Sequence, residues 1–572
     1  MKEKRWIIAT PDREKVQQLK NQFNQFDEAL CAVFVSRGLD TAEKLQKYFR
    51  PDYSLLHDPF LMKDMQLAVE RILAAVNSGE RIVLFGDYDV DGTTAVATLY
   101  RFLTSVYEEA NIFYYIPDRH TEGYGISRKG IAFAKTIGAS LFISLDCGIT
   151  AVEEAELIKE KNIDLIICDH HLPGDALPVA TAILNPKQPG CSYPYKELSG
   201  CGVAFKLITA LSRALKMEET SVYKYLDMVA TSIGADIVPI TGENRVLSQL
   251  GLKVINASPA TGLKALINTT EKKGTIDMYF ISFLIAPRIN AAGRLRHAKI
   301  AVELLLENDP VKAAGLAEQL NQYNNERKQL DDTITKEALD ILVGDQSFTH
   351  KKTTVVYCDQ WHKGVIGIVA SRLIENYYRP TIVLTRDGDL ITGSARSVSG
   401  FDLHKAISHC SAHLEKFGGH KAAAGLSMIP ENYNEFASHF ETIVSETITE
   451  ESLSPKIYVD AIINLRDINF TLYRTISSME PFGPGNHKPV FASMCLQPSN
   501  WTRIVGDKHV RFHFNIPGMQ GINGIAFNMK DKFESLAQNA FIDIAFTIDE
   551  NLWNGNSSLQ LKIIDFRASQ SL

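Results

Sequence analysis

The sequence predicts an α/β chain in which a parallel-sheet domain is joined by one long helix to a second α/β domain, followed by a small β-barrel. Three observations predict this. Short apolar runs alternate with helix-like stretches between residues 81 and 169. A single amphipathic pattern runs on from Asp309 without a break. From about Lys456 the pattern changes to strand-like alternation with few helical signals. The expected boundaries are 1–300 for an N-terminal extension with the first domain, 301–345 for the connecting helix, 346–450 for the second domain and 451–572 for the barrel.

RIVLFG (81–86), NIFYYIP (111–117), SLFISLD (140–146) and IDLIICD (163–169) read as strands, and residues 94–110 as a helix between two of them. Strands that alternate with helices imply a parallel sheet covered on both faces. Asp309 can cap a helix and Pro310 can occupy its first position. Ala313, Leu316, Leu320, Tyr323, Arg327, Leu330 and Ile334 then recur every three or four residues, a narrow apolar stripe. At 1.5 Å per residue this helix spans roughly 45–50 Å. A second α/β region starts near Thr353. VRFHFNI (510–516), FIDIAFTI (541–548) and LQLKIIDF (559–566) alternate in the manner of barrel strands.

The 572 residues are 45% hydrophobic and 22% charged, as in globular proteins. At about 150 residues per domain, roughly four domains fit. The formal net charge of −7 argues against a passive nucleic-acid coat, which is usually basic. It does not exclude an enzyme whose bound divalent ions offset clustered carboxylates, since two such ions add about +4 locally. The eight cysteines form no CxxC pair, which argues against a disulfide framework or a zinc ribbon and for reduced thiols in the cytoplasm. The first apolar stretch is too short for a signal peptide, and no membrane span is expected.

The chemistry concentrates in GDYDVDG (86–92), directly after a strand. Asp87, Asp89 and Asp91 alternate, so an extended or looping backbone would project them to one side. Three carboxylates that close repel strongly unless a cation sits among them. A calcium loop would need Glu where Thr98 stands. Asp146 ends the third apolar run, Asp169 ends the fourth and is followed by His170 and His171, and Asp236 follows a helical stretch. In open parallel sheets, ligands bind beyond the carboxyl ends of the strands. Carboxylates with one or two imidazoles favour Mn²⁺ or Mg²⁺ over zinc, and the imidazole tilts the choice to Mn²⁺. One shared carboxylate can bridge two ions about 3.5–4 Å apart, an arrangement suited to phosphoryl displacement.

GDYDVDG, DCG (146–148), DHH (169–171) and Asp236 resemble the DHH phosphoesterases in order and spacing. PDRHTEGYG (117–125), SGCGVAFK (199–206), PRINAAGR (287–294), GVIGIVASR (364–372), GSARS (393–397) and FGGHKAAAG (417–425) narrow the resemblance to the RecJ exonucleases. It extends over about residues 80–570. It implies a DHH domain, a DHHA1 domain and an OB-fold, and hydrolysis of single-stranded DNA from its 5′ end to mononucleotides. It also implies two divalent cations (Mn²⁺ preferred, Mg²⁺ accepted) and a monomer that works with single-strand-binding protein and a helicase in DNA repair and recombination.

On this sequence, the resemblance assigns Asp89 and Asp146 to one ion, with Asp87 nearby, and Asp91, Asp146, His170 and Asp236 to the other. Asp146 would be the bridge, His171 would lie beside the scissile phosphate, and Asp169 would orient a histidine. Many DHH enzymes carry a His four residues before the first metal Asp. Phe85 stands there, which leaves Asp87 or water to complete that ion. Ser394, Arg396 and His420, with Arg119, Arg288 and Arg294, would hold a terminal 5′ phosphate, for which the arginine fork is suited. Trp501, Lys508 and Arg511 are the strand-binding candidates of the barrel, whereas Phe512 and Phe514 are expected in its core. Rival readings are a relative acting on very small substrates, an inactive scaffold that has lost ligands, and an RNA substrate.

Overall fold

The structure, a computed structural model, describes residues 4–271, 274–536, 540–553 and 555–569. The chain divides into two compact units. One holds Met1–Phe49, Gln329–Glu480 and Lys488–Leu572; the other holds Arg50–Lys328 and Pro481–His487.

The first strand, β1 (Arg5–Ile8), runs parallel to the later strand Lys456–Val459. Trp6 anchors it: its indole N–H donates to Asp565 at 2.8 Å, and Arg567 lies 4.4 Å over its ring. Trp6 also packs with Ile457, Val459, Ala492 and Ala545. Residues 1–49 therefore group with the C-terminal part of the chain, not with the parallel-sheet domain as the 1–300 boundary expected. Residues 570–572 of the expected barrel lie outside the described residues.

The unit around Arg50–Lys328 carries the parallel sheet. Its strands are β2 (Ile82–Gly86), β3 (Ile112–Tyr115), β4 (Leu141–Leu145), β5 (Asp164–Cys168) and β6 (Ala182–Leu184), in the order β3-β2-β4-β5-β6. Every pairing is parallel. β2 and β4 are buried throughout, which is why they read as continuous apolar runs. Alternation sends Ile82 and Leu84 into the larger core and Val83 and Phe85 into the core on the other face. β6 is only three residues long, too short to register as an apolar run. The first crossover helix starts at Val90, four residues earlier than expected, because Asp89 caps it by accepting from the Gly92 N–H.

The long helix runs Pro310–Gly344. The Asp309 carboxylate accepts from the N–H groups of Val311 and Lys312 at 2.8 and 3.2 Å, the cap the sequence predicted. Residues 310–328 belong to one unit and 329–344 to the other. The preceding helix, Lys299–Leu306, is separate, so the connecting helix is shorter than the expected 301–345.

In the other unit, β7 (Thr354–Tyr357), β8 (Thr381–Asp387), β9 (Leu390–Arg396), β10 (Lys416–His420) and β11 (Ala423–Met428) form a mixed sheet ordered β10-β11-β9-β8-β7. Only β7 and β8 pair in parallel. β12 (Lys456–Val459) is the partner of β1. A seven-stranded sheet follows, made of β13 (Ala461–Ile462), β14 (Phe491–Leu496), β15 (Arg503–Val505), β16 (His509–Phe514), β17 (Ile522–Ala526), β18 (Ile542–Trp553) and β19 (Asn556–Ala568). Its order is β13-β14-β18-β19-β17-β16-β15. Phe512 and Phe514 are buried and stacked at 5.9 Å, as expected.

Candidate metal centre and substrate contacts

Three adjacent strands deliver the acidic groups. Asp87 follows β2, Asp146 follows β4 and Asp169 follows β5, all at carboxyl ends. Asp146 has φ +62°, a left-handed conformation that Asp tolerates better than most residues. Such backbone costs about 1–3 kcal/mol and persists only where its surroundings impose it. Gly200 is part of that surrounding: a Cβ there would stand 2.7 Å from the Asp146 side chain. Asp236 is the last residue of the helix Leu226–Asp236, which Ile237 ends at φ +61°.

Asp87, Asp89 and Asp91 lie on a looping backbone, the second of the two forms expected: Asp87 follows the strand, Asp89 caps the helix and Asp91 sits in its first turn. Three groups of ligand atoms converge, each within 4.8 Å: Asp87, Asp89 and Asp146; Asp91, His170 and Asp236; and Asp146, His170 and His171. The His170 Nε2 lies 3.2 Å from Asp146, 3.6 Å from Asp236 and 3.7 Å from Asp91. All six side chains expected to hold cations are thus in one cluster, with His171 beside them.

The donor set fits divalent cations. Among the described residues, Asp87 Oδ1, Asp146 Oδ1 and both ring nitrogens of His170 are buried without a hydrogen-bond partner. Such groups are costly unless a ligand satisfies them. Burial first, and the neighbouring carboxylates second, hold Asp87, Asp89 and Asp146 above the usual carboxylate range. The same causes push Asp236 up to about 8. Burial pulls His170 down, towards the neutral form that binds metal. A positive charge among these groups would reverse the penalty.

Asp169 organises the DHH segment. Its Oδ1 accepts from the His170 and His171 N–H groups at 2.7 and 3.1 Å, and lies 2.7 Å from His171 Nδ1. Its Oδ2 accepts from the Ile149 N–H at 2.9 Å. It therefore orients the His171 ring. Burial opposes a charge on His171, but the Asp169 hydrogen bond and the surrounding carboxylates outweigh it and raise the ring to about 9. Phe85, where many DHH enzymes have histidine, is fully buried and stacks on Tyr115 and Phe142 at 5.7 and 5.5 Å.

Comparison with protein-family models matches the N-terminal domain of the DHH family over residues 81–233, the DHHA1 domain over 350–446 and the RecJ OB domain over 459–565. The single-stranded-DNA-specific exonuclease RecJ of Bacillus subtilis is 37% identical over 99% of this chain and 71% of its own length. The chain belongs to the RecJ family of single-stranded-DNA-specific exonucleases. The Escherichia coli RecJ is 31% identical over 94% of this chain and 95% of its own. RecJ from Thermus thermophilus, crystallised with Mn²⁺, superimposes with a TM-score of 0.85 at 27% identity, over 99% of this chain and 80% of that one. Its Mg²⁺ complex gives 0.79 at 26% identity, over 99% and 79%.

The other residues expected of a RecJ site fall into three places. Arg119 lies 4.9 Å over the Tyr88 ring, inside the GDYDVDG motif. The Arg294 carbonyl lies 2.9 Å from His120 Nε2. Arg288 is 7% exposed, with Nε and Nη1 committed to Asn321 and the Leu284 carbonyl. These three share the unit of the metal cluster. In the other unit, Ser394 accepts from Arg396 at 3.0 Å, and both lie against Gly367 in the first turn of the helix Ile366–Tyr377. Arg396, Ala423 and His420 stand in one cross-strand row. Trp501, 76% exposed, and exposed Lys508 lie at and near β15. Arg511 lines a groove of about 490 Å³ with Asn523, Asn551, Asn556, Ser558 and Gln560.

Sequence reasoning did not single out four residues that this RecJ-family site uses. Both oxygens of Asp91 are held, by the Gly200 and Cys201 N–H groups and by Ser232. Ser232 in turn lies 2.6 Å from the Ser199 hydroxyl, from which it can accept. Asn290 accepts from the Val90 N–H at 3.2 Å. The Tyr124 hydroxyl lies 3.2 Å from His171 Nδ1. PRINAAGR, SGCGVAFK and PDRHTEGYG contained three of these; nothing marked Ser232.

Proposed function

We propose that this chain hydrolyses single-stranded DNA from its 5′ end and releases mononucleotides, using two divalent cations, in DNA repair and recombination. The observation that carries the reading is the cluster of six carboxylate and imidazole ligands with buried, unpartnered atoms in a RecJ-family chain. Asp87, Asp89 and Asp146 would hold one cation; Asp91, Asp146, His170 and Asp236 the other, with Asp146 shared. When bound, such a pair supplies Lewis acidity at phosphate oxygens and lowers the pKa of water. The imidazole favours Mn²⁺, with Mg²⁺ as the alternative.

The chain's own groups do the positioning. Asp169 fixes the His171 ring, whose side chain is 43% exposed and can face a phosphate. Candidates for contact with the terminal 5′ phosphate, which would set the polarity of digestion, are Ser394, Arg396 and His420 in one unit and Arg119 and Arg294 in the other. Arg288 would brace its helix more than it touches substrate. Trp501, Lys508 and Arg511 would hold the strand beyond the site through stacking and phosphate contacts. Single-strand-binding protein and a helicase are the expected partners of a monomer. Eight free cysteines agree with a cytoplasmic setting; among the described residues no helix is long and apolar enough to cross a membrane.

Digesting single strands labelled at either end, with and without a 5′ phosphate, in Mn²⁺ or Mg²⁺, tests this. Label at the 5′ end should be released first as mononucleotide, faster with the phosphate. Release from the 3′ end first, or activity confined to dinucleotides, would overturn it.

A further inference from the structure

The segment between β3 and the helix Arg128–Thr136 carries three side chains that reach the site, and one carboxylate holds it together. Glu122 accepts from three donors. The Tyr115 hydroxyl, on β3, donates at 3.0 and 3.2 Å. The Asp118 N–H donates at 2.9 Å. The Ser127 hydroxyl donates at 2.6 Å. Ser127 also caps the following helix by accepting from the Gly130 N–H. Glu122 thus ties the start, the middle and the end of the segment to one point.

The clamp matters because of what it spaces. Asp118 and Glu122 form a closed turn, in which the Glu122 N–H donates to the Asp118 carbonyl at 2.8 Å. The Asp118 carboxylate accepts from the N–H groups of His120 and Thr121. Within that turn, Arg119 reaches Tyr88 and His120 reaches the Arg294 carbonyl. Beyond it, Tyr124 reaches His171. Tyr124 stands between Gly123 at φ +84° and Gly125 at φ +93°, a stretch with little backbone restraint of its own. The restraint must come from the flanking side chains, and Glu122 supplies it.

We propose that Glu122 is a positioning residue for the nuclease reaction, setting Arg119, His120 and Tyr124 against Tyr88, Arg294 and His171. It touches neither metal ligand nor substrate and acts through the loop. The inference rests on the functional reading above. It assigns Glu122 a specific consequence: loss of the clamp should erode recognition of the 5′ phosphate more than it erodes the chain's stability.

The test compares Glu122→Ala and Glu122→Gln, alone and with Arg119→Ala, on strands with 5′ phosphate or 5′ hydroxyl, alongside thermal denaturation. In Glu122→Ala the ratio of kcat/KM for phosphorylated over hydroxyl ends should fall about tenfold. Glu122→Gln keeps the side-chain length and one carbonyl acceptor, and should recover most of the ratio. On the Arg119→Ala background, Glu122→Ala should lower the ratio by less than about twofold more, because both changes remove one device. An unchanged ratio in Glu122→Ala overturns the proposal. So does an equal loss on both ends with a lowered Tm, or full additivity with Arg119→Ala. Wild-type protein without nuclease activity overturns the functional reading and this proposal together; an active wild type with an indifferent Glu122 overturns this proposal alone.

Discussion

The metal cluster and the Ser394–Arg396–His420 patch are built on opposite principles. The cluster packs like charges into a buried space and leaves ligand atoms unpartnered. The patch is half-buried or exposed, and its groups already hold hydrogen bonds: Arg396 donates to Ser394 and to the Ala395 carbonyl, and His420 accepts from the Ala422 N–H. One arrangement is unfavourable without a ligand; the other stands without one. A buried cluster of this kind is kept for chemistry, while a self-satisfied polar patch supplies selection. The two should therefore fail differently when altered.

The largest effect is expected at the cluster. Asp146→Asn should lower kcat by about a thousandfold, roughly 4 kcal/mol of barrier. The same variant should show no loss of metal-free stability in thermal denaturation, because a repelled buried charge is gone. A marked drop in metal-free Tm would mean that Asp146 is structural and would erase the contrast with the patch.

Phe85→His sharpens the contrast from within the core beside β2. Phe85 points into the core, so the substitution should add no third ion. It should cost about 1.5–3 kcal/mol in denaturant unfolding through lost apolar burial. An increase in bound Mn²⁺ would show that the strand can turn its face.

At the patch, Arg396→Ala should raise KM for a 5′-phosphorylated strand about ten- to a hundredfold, the range for one hydrogen bond to a charged group, with a smaller change in kcat. A fall in kcat without a change in KM would move Arg396 into the chemistry. The smallest effects belong to the C-terminal sheet. Trp501→Ala should weaken binding of long strands by about 1–3 kcal/mol, and Arg511→Ala should lower the salt dependence of binding by about 0.7 in slope. Fluorescence anisotropy at several salt concentrations reads both.

Much of this was legible in the sequence for local reasons. Asp87 directly follows an apolar run and Asp146 and Asp169 each end one, so the strand and the acid announce each other. Asp309 and Pro310 mark the long helix before its stripe begins. The illegible parts depend on contacts made only after folding. Ser232 matters through Asp91, far away in the chain, and sits in an unremarkable helix. β1 belongs with the C-terminal part because of a strand partner some 450 residues away, which no local pattern encodes. β6 is too short to carry a period. The three aspartates of GDYDVDG stand out by their spacing, but the start of the helix inside the motif depends on the Asp89 cap, which that spacing does not reveal.

Titrating Mn²⁺ into metal-free protein and into Asp146→Asn, followed by calorimetry, tests the central claim most directly. Two ions should bind per wild-type chain, and saturation about a hundredfold above Kd should stabilise the fold by about 2.7 kcal/mol for each ion. Both should collapse in the variant. Wild-type protein that binds no Mn²⁺, or a variant that binds it equally well, would contradict the account.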